Sequence, residues 1–274
     1  MAMNDHIASD PKPVIVVKDV VKHFESRRIL DGISLSIPTG KVTVIMGGSG
    51  GGKSTLMRHL IGLIQPDQGE IWIEGRNIAH MREKEMNEVR KRFGMLFQSS
   101  ALFNSMSVGE NIALPLKEHT ELPAELIKVI IKIKLELVGL TGFEDFMPYQ
   151  ISGGMKKRVA LPRAMALDPK IIFYDEPGAG LDPITASMID QLILDLSKKL
   201  NITSVVVTHE IKSAFRIADQ IILLHKGRVA AVGTGRDIEN STDPYVQQFI
   251  KGEPEGAIPL KQTSEAYLKG LFEP

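Results

Sequence analysis

The apolar run Val42-Thr43-Val44-Ile45-Met46 leads directly into Gly47-Gly48-Ser49-Gly50-Gly51-Gly52-Lys53-Ser54-Thr55. A strand therefore feeds a glycine loop that ends at the mouth of a helix. Glycines let successive backbone N–H groups curl around phosphate oxygens without Cβ clashes. In that loop, which has the P-loop spacing, Lys53 reaches the β- and γ-phosphates of a nucleotide and the Ser54 hydroxyl takes a place on Mg²⁺, with Thr55 beside it. The helix starting near Lys53 directs its positive dipole end at the same phosphates.

Two rival readings use part of the same segment. Gly47-Gly48-Ser49-Gly50-Gly51 fits the G-x-S-x-G nucleophile elbow, and Asp175 and His209 follow in the chain order of an α/β serine hydrolase. That reading leaves Lys53-Ser54-Thr55 without a role. A dinucleotide fingerprint starting at Gly47 requires glycine at position 49, where Ser49 stands.

A chain of 274 residues that is 43% hydrophobic can bury a sizeable core in one or two domains. No window approaches the ~18 consecutive apolar residues of a membrane span, and the first residues resemble no secretory leader. The expectation is a cytosolic protein. Lys+Arg and Asp+Glu both number 33, so there is no global basic field to draw it to nucleic acid or anionic lipid. Membrane contact then requires a protein partner. The absence of cysteine excludes disulfides, thiol catalysis and Cys-ligated zinc.

Along the chain, residues 1–12 read as a polar tail. Val14 to Val17, Ile33 to Ile37, Val42 to Met46 and Ile71 to Ile73 read as strands, separated by turns at Pro38-Thr39-Gly40 and Pro66-Asp67-Gln68-Gly69. Ile171 to Tyr174, Ser204 to Thr208 and Ile221 to Leu224 are further apolar runs, each preceded by a helical stretch. Strands alternating with helices imply an α/β fold with a mostly parallel sheet. Between the halves the pattern turns helical, with helices expected over Ser107 to Lys117 and Pro123 to Val138.

A second constellation follows. Ser152-Gly153-Gly154 opens a helical pattern and presents a hydroxyl and bare N–H groups, a second anion site. Downstream, Ile171-Ile172-Phe173-Tyr174-Asp175-Glu176 is an apolar strand ending in two carboxylates, which alternation aims in different directions. One carboxylate can hold Mg²⁺ through water while the next polarises an attacking water.

Taken together these residues resemble the ATPase subunit of ATP-binding cassette transporters, over residues 14 to about 240. The resemblance implies a P-loop NTPase (RecA-like) core, an N-terminal antiparallel β subdomain and a helical insertion at about residues 99–155, the cassette running over 13–243 and an extension over 244–274. In the family's terms Gly47 to Ser54 looks like Walker A, Ile171 to Asp175 like Walker B, and Glu176 like the catalytic base. Gln98 looks like the glutamine that senses Mg²⁺ and the γ-phosphate, and His209 like the switch histidine. Ser152-Gly153-Gly154 resembles the signature motif that contacts ATP held by the other subunit, and Gly180-Leu181-Asp182 the D-loop. Phe24 stands where an aromatic stacks on adenine. ATP and Mg²⁺ are the implied ligands, and a homodimer the implied assembly.

Three segments narrow the resemblance: Met95 to Phe103, Leu114 to Thr120, and Ile151 to Met155. They look like the ATPases of bacterial systems that maintain lipid asymmetry. That branch implies a motor on the cytoplasmic face of the inner membrane, working with a permease dimer, a periplasmic MCE-domain lipid-binding protein and a STAS-domain partner, and without nucleic acid. Other transported cargo and a soluble cassette ATPase are the alternatives, although one cassette with a short insertion favours a motor that dimerises. Met155 and Ile151 depart from the usual signature without touching its phosphate-facing residues. Pro162 falls inside the following helix, where a kink is expected. Leu102, Phe103 and Met106 are expected to be exposed for a permease helix. In the tail, Tyr267, Leu268, Leu271 and Phe272 recur at helical spacing, so a short amphipathic helix reaching a sister subunit is expected.

Overall fold

The computed structural model describes residues 13–253 and 256–257. The first twelve residues and the Tyr267 to Phe272 pattern lie outside the described residues. In chain order the strands are β1 (Pro13–Phe24), β2 (Arg27–Pro38), β3 (Val42–Gly47), β4 (Gln68–Ile73), β5 (Arg76–Asn77), β6 (Phe93–Leu96), β7 (Ile171–Asp175), β8 (Thr203–Val207), β9 (Gln220–His225) and β10 (Arg228–Gly233). The α-helices are α1 (Lys53–Leu60), α2 (Glu83–Arg90), α3 (Val108–His119), α4 (Ala124–Glu136), α5 (Gly153–Ala164), α6 (Pro183–Leu200), α7 (Ile211–Ile217), α8 (Gly235–Glu239) and α9 (Pro244–Lys251).

The strands form two sheets. An antiparallel one runs β2-β1-β4-β5; the larger runs β10-β9-β3-β8-β7-β6, parallel throughout except for β10. Every residue of β3 is buried, as a strand covered on both faces requires. Because side chains alternate along a strand, the parallel sheet divides two apolar clusters. Val44, Met46, Ile172, Tyr174 and Val206 face one cluster, with side chains from α3 to α7, while Ile45, Phe173, Val205 and Val207 face the other, with α1, α2 and the antiparallel sheet. The helix α9 seats Tyr245 and Val246 in the first cluster.

Helix starts follow the capping chemistry in the sequence. Ser107 and Glu110 form a reciprocal capping box on α3, and Asp182 accepts from the Ile184 and Thr185 N–H groups at the start of α6. Beneath α3, buried Asn111 donates to the Phe103, Met106 and Ser107 carbonyls and accepts from the Phe103 N–H, fixing the preceding loop.

Three expectations need revision or extension. The helix α5 continues through Pro162 to Ala164, and the Met165 N–H resumes bonding to the Leu161 carbonyl at 3.0 Å. Pro162, which has no N–H, forfeits one backbone bond, and the helix ends at Ala164, two residues later. Of Leu102, Phe103 and Met106, only Phe103 is exposed, and Leu102 packs against the core. Finally, β6 was not legible as a strand. It has four residues and contains Gly94, whose missing Cβ leaves room for the Ala164 carbonyl of α5, which would otherwise lie 2.2 Å away.

Candidate functional site

Parallel strands place their C-terminal ends on one edge of a sheet, and four candidate motifs leave that edge side by side. The strands β3, β8, β7 and β6 are consecutive neighbours, so the glycine loop, Thr208-His209, Asp175-Glu176 and Gln98 follow one another across it. Strand spacing alone puts adjacent motifs about 4.8 Å apart.

The loop from Gly47 to Gly52 is held tightly. Gly47, Gly50 and Gly52 have φ of 150°, 72° and 99°. A Cβ on Gly47 would lie 2.3 Å from the Leu224 carbonyl oxygen, and one on Gly52 2.8 Å from the Leu30 side chain. Only glycine fits. Lys53 begins α1 and turns its Nζ back over the loop, donating to the Gly47 and Gly48 carbonyls at 2.7 and 3.0 Å. Burial lowers the Lys53 pKa, and the charges of Glu176 and Asp175 oppose that shift. Ser49, Gly50 and Ser54 are exposed at the mouth, with Gly48 and Thr55 half-buried beside them.

The two carboxylates part company through the backbone rather than through alternation alone. Asp175 ends β7 in extended conformation, whereas Glu176 sits at φ 47°, a left-handed conformation uncommon outside glycine. Its N–H is fixed by the Val207 carbonyl at 2.8 Å. Burial, then the neighbouring Glu176 charge, raises the Asp175 pKa, opposed by Arg58, Lys157 and Lys53. A half-buried carboxyl next to a second carboxylate gains from a divalent ion. Its carboxylate oxygens, like the exposed Ser54 hydroxyl at the start of α1, are the hard donors that suit Mg²⁺, which takes few protein ligands and keeps several waters. Glu176 turns towards β8, where its Oε1 lies 2.8 Å from His209 Nδ1 and its Oε2 3.4 Å from the His209 N–H.

The remaining candidates form a separate face. Ser152 caps α5, accepting from the Met155 N–H at 3.2 Å. Gly154 rests against α6, where a Cβ would lie 2.5 Å from Thr185 Cγ2. Thr185 in turn donates its hydroxyl to Asp182 at 2.5 Å. The Ser152-Gly153-Gly154 start and the Asp182 cap thus form one exposed surface. Among the described residues, no hydrogen bond or ion pair joins Ser152 to the glycine loop of its own chain. Phe24, also exposed, lies at the end of β1 with Lys22 Nζ 5.8 Å from its ring centroid.

Several residues at this site escaped sequence reasoning. Lys157 is buried and donates to the carbonyls of Gln98 and Glu176. The signal was its position in α5, three and four residues before buried Ala160 and Leu161, where a charge is out of place. Tyr245 donates from α9 to the Leu224 carbonyl at 3.2 Å, the same oxygen that Gly47 approaches. Nothing in its local pattern signalled that contact.

The comparisons agree with this geometry. The ABC transporter family model matches residues 30–179. The intermembrane phospholipid transport system ATP-binding protein MlaF of Haemophilus influenzae is 45% identical over 260 residues, 95% of this chain and 98% of that protein. A probable ribonucleotide transport ATP-binding protein, mkl of Mycobacterium leprae, is 41% identical over 251 residues, 92% of this chain and 72% of that protein. Among solved structures, the dimeric post-hydrolysis state of the ATP-binding cassette MJ0796 bound to ADP and Pi superposes with a TM-score of 0.74 at 32% identity, covering 81% of this chain and 99% of that one.

Proposed function

Because the chain belongs to the ABC transporter family and is one of its ATP-hydrolysing subunits, we propose that it drives a phospholipid transporter of the bacterial inner membrane. The observation that carries the hydrolytic part is the Glu176–His209 hydrogen bond, set on the sheet edge next to Lys53. The lipid assignment rests on similarity to MlaF along 95% of the chain. The similarity to mkl makes another cargo the second reading.

In this account the loop N–H groups of Gly47 to Gly52, with Ser54, Thr55 and the α1 dipole, hold the β- and γ-phosphates. When phosphate arrives, Lys53 leaves the Gly47 and Gly48 carbonyls and puts its charge on the γ-phosphate. Phe24 stacks on adenine. Ser54, Asp175 and Gln98 would hold Mg²⁺, which would offset the charge that develops on the phosphate oxygens. Glu176 orients and deprotonates the attacking water, and His209 fixes the Glu176 carboxylate and meets the γ-phosphate.

The surface of Ser152, Gly153, Gly154 and Asp182 serves the ATP of a second copy, and two composite sites form in a homodimer. The MJ0796 cassette is dimeric with ADP and Pi. The cassette is assigned to residues 13–243, with the helical insertion at about 99–155 and the extension from 244. No helix among the described residues is long and apolar enough to cross a membrane. The chain then reaches the cytoplasmic face of the inner membrane through a permease dimer, in a complex that includes MCE- and STAS-domain proteins.

Reconstituting the complex in proteoliposomes tests the cargo. ATP-dependent movement of a labelled phospholipid between vesicles, lost in Glu176→Gln, supports the assignment. ATP-dependent uptake of ribonucleotide with no lipid movement would move it to the second reading.

A further inference from the structure

The helix α5 carries Ser152 at its start and grips the Gln98 loop along its length. Lys157, 5% exposed, donates from its Nζ to the Gln98 carbonyl and, at 3.3 Å, to the Glu176 carbonyl. One ammonium therefore joins three segments that are far apart in sequence: the Ser152 helix, the loop after β6 and the acidic end of β7. Two turns further on, Arg163 donates its guanidinium to the Ser100 and Ala101 carbonyls. Those two residues have φ of 64° and 48°, consecutive left-handed conformations in non-glycine residues, which persist only where surroundings over-determine them. Glu176, on the other side of Lys157, is left-handed as well. Lys157 thus holds the carbonyl of left-handed Glu176 and that of Gln98, two residues before the strained pair that Arg163 holds.

A buried ammonium has to satisfy its donors, and burial here lowers the Lys157 pKa against the pull of Asp175 and Glu176. A neutral side chain would pack in the same space without that desolvation. The geometry is explained if the charge fixes where Gln98 and Glu176 sit relative to each other.

We propose that Lys157 is a positioning residue for ATP hydrolysis, clamping the Gln98 and Glu176 backbones to the helix that begins at Ser152. The proposal rests on the roles given to Gln98 and Glu176. Among the described residues, no hydrogen bond or ion pair joins Lys157 to the glycine loop or to Phe24, so its loss should affect turnover and leave ground-state binding alone. Guanidinium at the same position keeps two or more donors and a charge, so Lys157→Arg restores the clamp.

The test uses the full chain in its transporter complex and compares wild type with Lys157→Met, Lys157→Gln, Lys157→Arg and, as a charge control, the neighbouring Lys156→Met. Lys157→Met is expected to lower kcat about tenfold or more, as small misplacement of reacting groups does. Its KM and equilibrium ATP affinity should stay within about twofold. Lys157→Gln, whose amide donates to one carbonyl, should fall between, and Lys157→Arg and Lys156→Met should approach wild type. Hydrogen exchange in residues 97–101 should quicken in Lys157→Met and not in Lys157→Arg. Should Lys157→Met fail to fold, Lys157→Gln against Lys157→Arg decides the question. Wild-type kcat in the neutral variants overturns the proposal, as does equal loss in Met, Gln and Arg variants accompanied by a lowered Tm, which marks a merely structural lysine. Glu176→Gln runs in the same assay. If it keeps turnover, the assignment of Glu176 has failed; if it loses turnover while Lys157→Met does not, only the clamp has failed.

Discussion

His209 Nδ1 and Glu176 Oε1 lie 2.8 Å apart, although 33 residues and a whole helix separate them in sequence. Their strands are parallel neighbours, with Asp175 opposite Val207, so the residues that follow emerge together on the sheet edge. The pair is asymmetric. The Glu176 side chain is 12% exposed and the His209 side chain 59%. The carboxylate is thus held by the fold, and the imidazole remains accessible to a phosphate or a second subunit.

Lys53 is the next most direct test of the site. Replacing Lys53 by Ala removes the ammonium that lies over the Gly47 and Gly48 carbonyls. Charge-assisted hydrogen bonds contribute about 1.5–3 kcal/mol each, so ATP affinity should fall roughly 10- to 100-fold. Equilibrium binding of ATP to the full chain measures it, and unchanged affinity would remove Lys53 from the phosphate site.

Asn111 should matter for stability rather than for chemistry. Its side chain makes four hydrogen bonds to the 103–107 backbone and is fully buried. Asn111→Ala leaves those groups without their partner and opens a small void, a cost of about 2–4 kcal/mol. Urea denaturation should show a lower midpoint, with ATP affinity retained in the folded protein.

Asp67 gives a pH test. Hydrogen bonds from Lys22 and from the His23 backbone lower its pKa to about 2. A carboxyl whose folded pKa is depressed adds stability above its unfolded value, near 3.9, and that contribution disappears as pH falls through the folded value. Asp67→Asn should therefore lower Tm at neutral pH, and the gap to wild type should close between roughly pH 4 and pH 2. The effect is small because the side chain is 36% exposed and solvent screens it. A gap that widens on acidification would contradict the assignment.

Phe103 lies half-exposed on the wall of a groove of about 970 Å³, together with Phe97, Leu114, Pro115 and Leu167. A permease helix docked there would bury it. Phe103→Glu should abolish co-purification with the permease while shifting the Tm of the isolated subunit little, since surface changes usually stay within about 0.5 kcal/mol. Retained assembly would place the docking surface elsewhere.

The sequence exposed those parts of the fold whose cause is local. Gly47 to Ser54 could be read because glycine spacing, a lysine and a preceding apolar strand coincide in one segment. Ile171 to Asp175 could be read because a central parallel strand is apolar on both faces. The strand β6 could not, since Phe93-Gly94-Met95-Leu96 becomes a strand only when the end of α5 packs on Gly94. Lys157 looked like one more surface cation in Met155-Lys156-Lys157-Arg158, and its partners are carbonyls 59 and 19 residues away. The exposure of Phe103 beside packed Leu102 was likewise set by tertiary contacts.

In the proposed reaction Glu176, oriented by His209, activates the water that attacks the γ-phosphate. Single-turnover hydrolysis by Glu176→Gln in the intact transporter complex, with ATP binding measured on the same sample, tests it most directly. ATP affinity is expected within a few-fold of wild type and hydrolysis slower by about 10²–10⁴-fold, the range for a lost general base. Hydrolysis at the wild-type rate would contradict it.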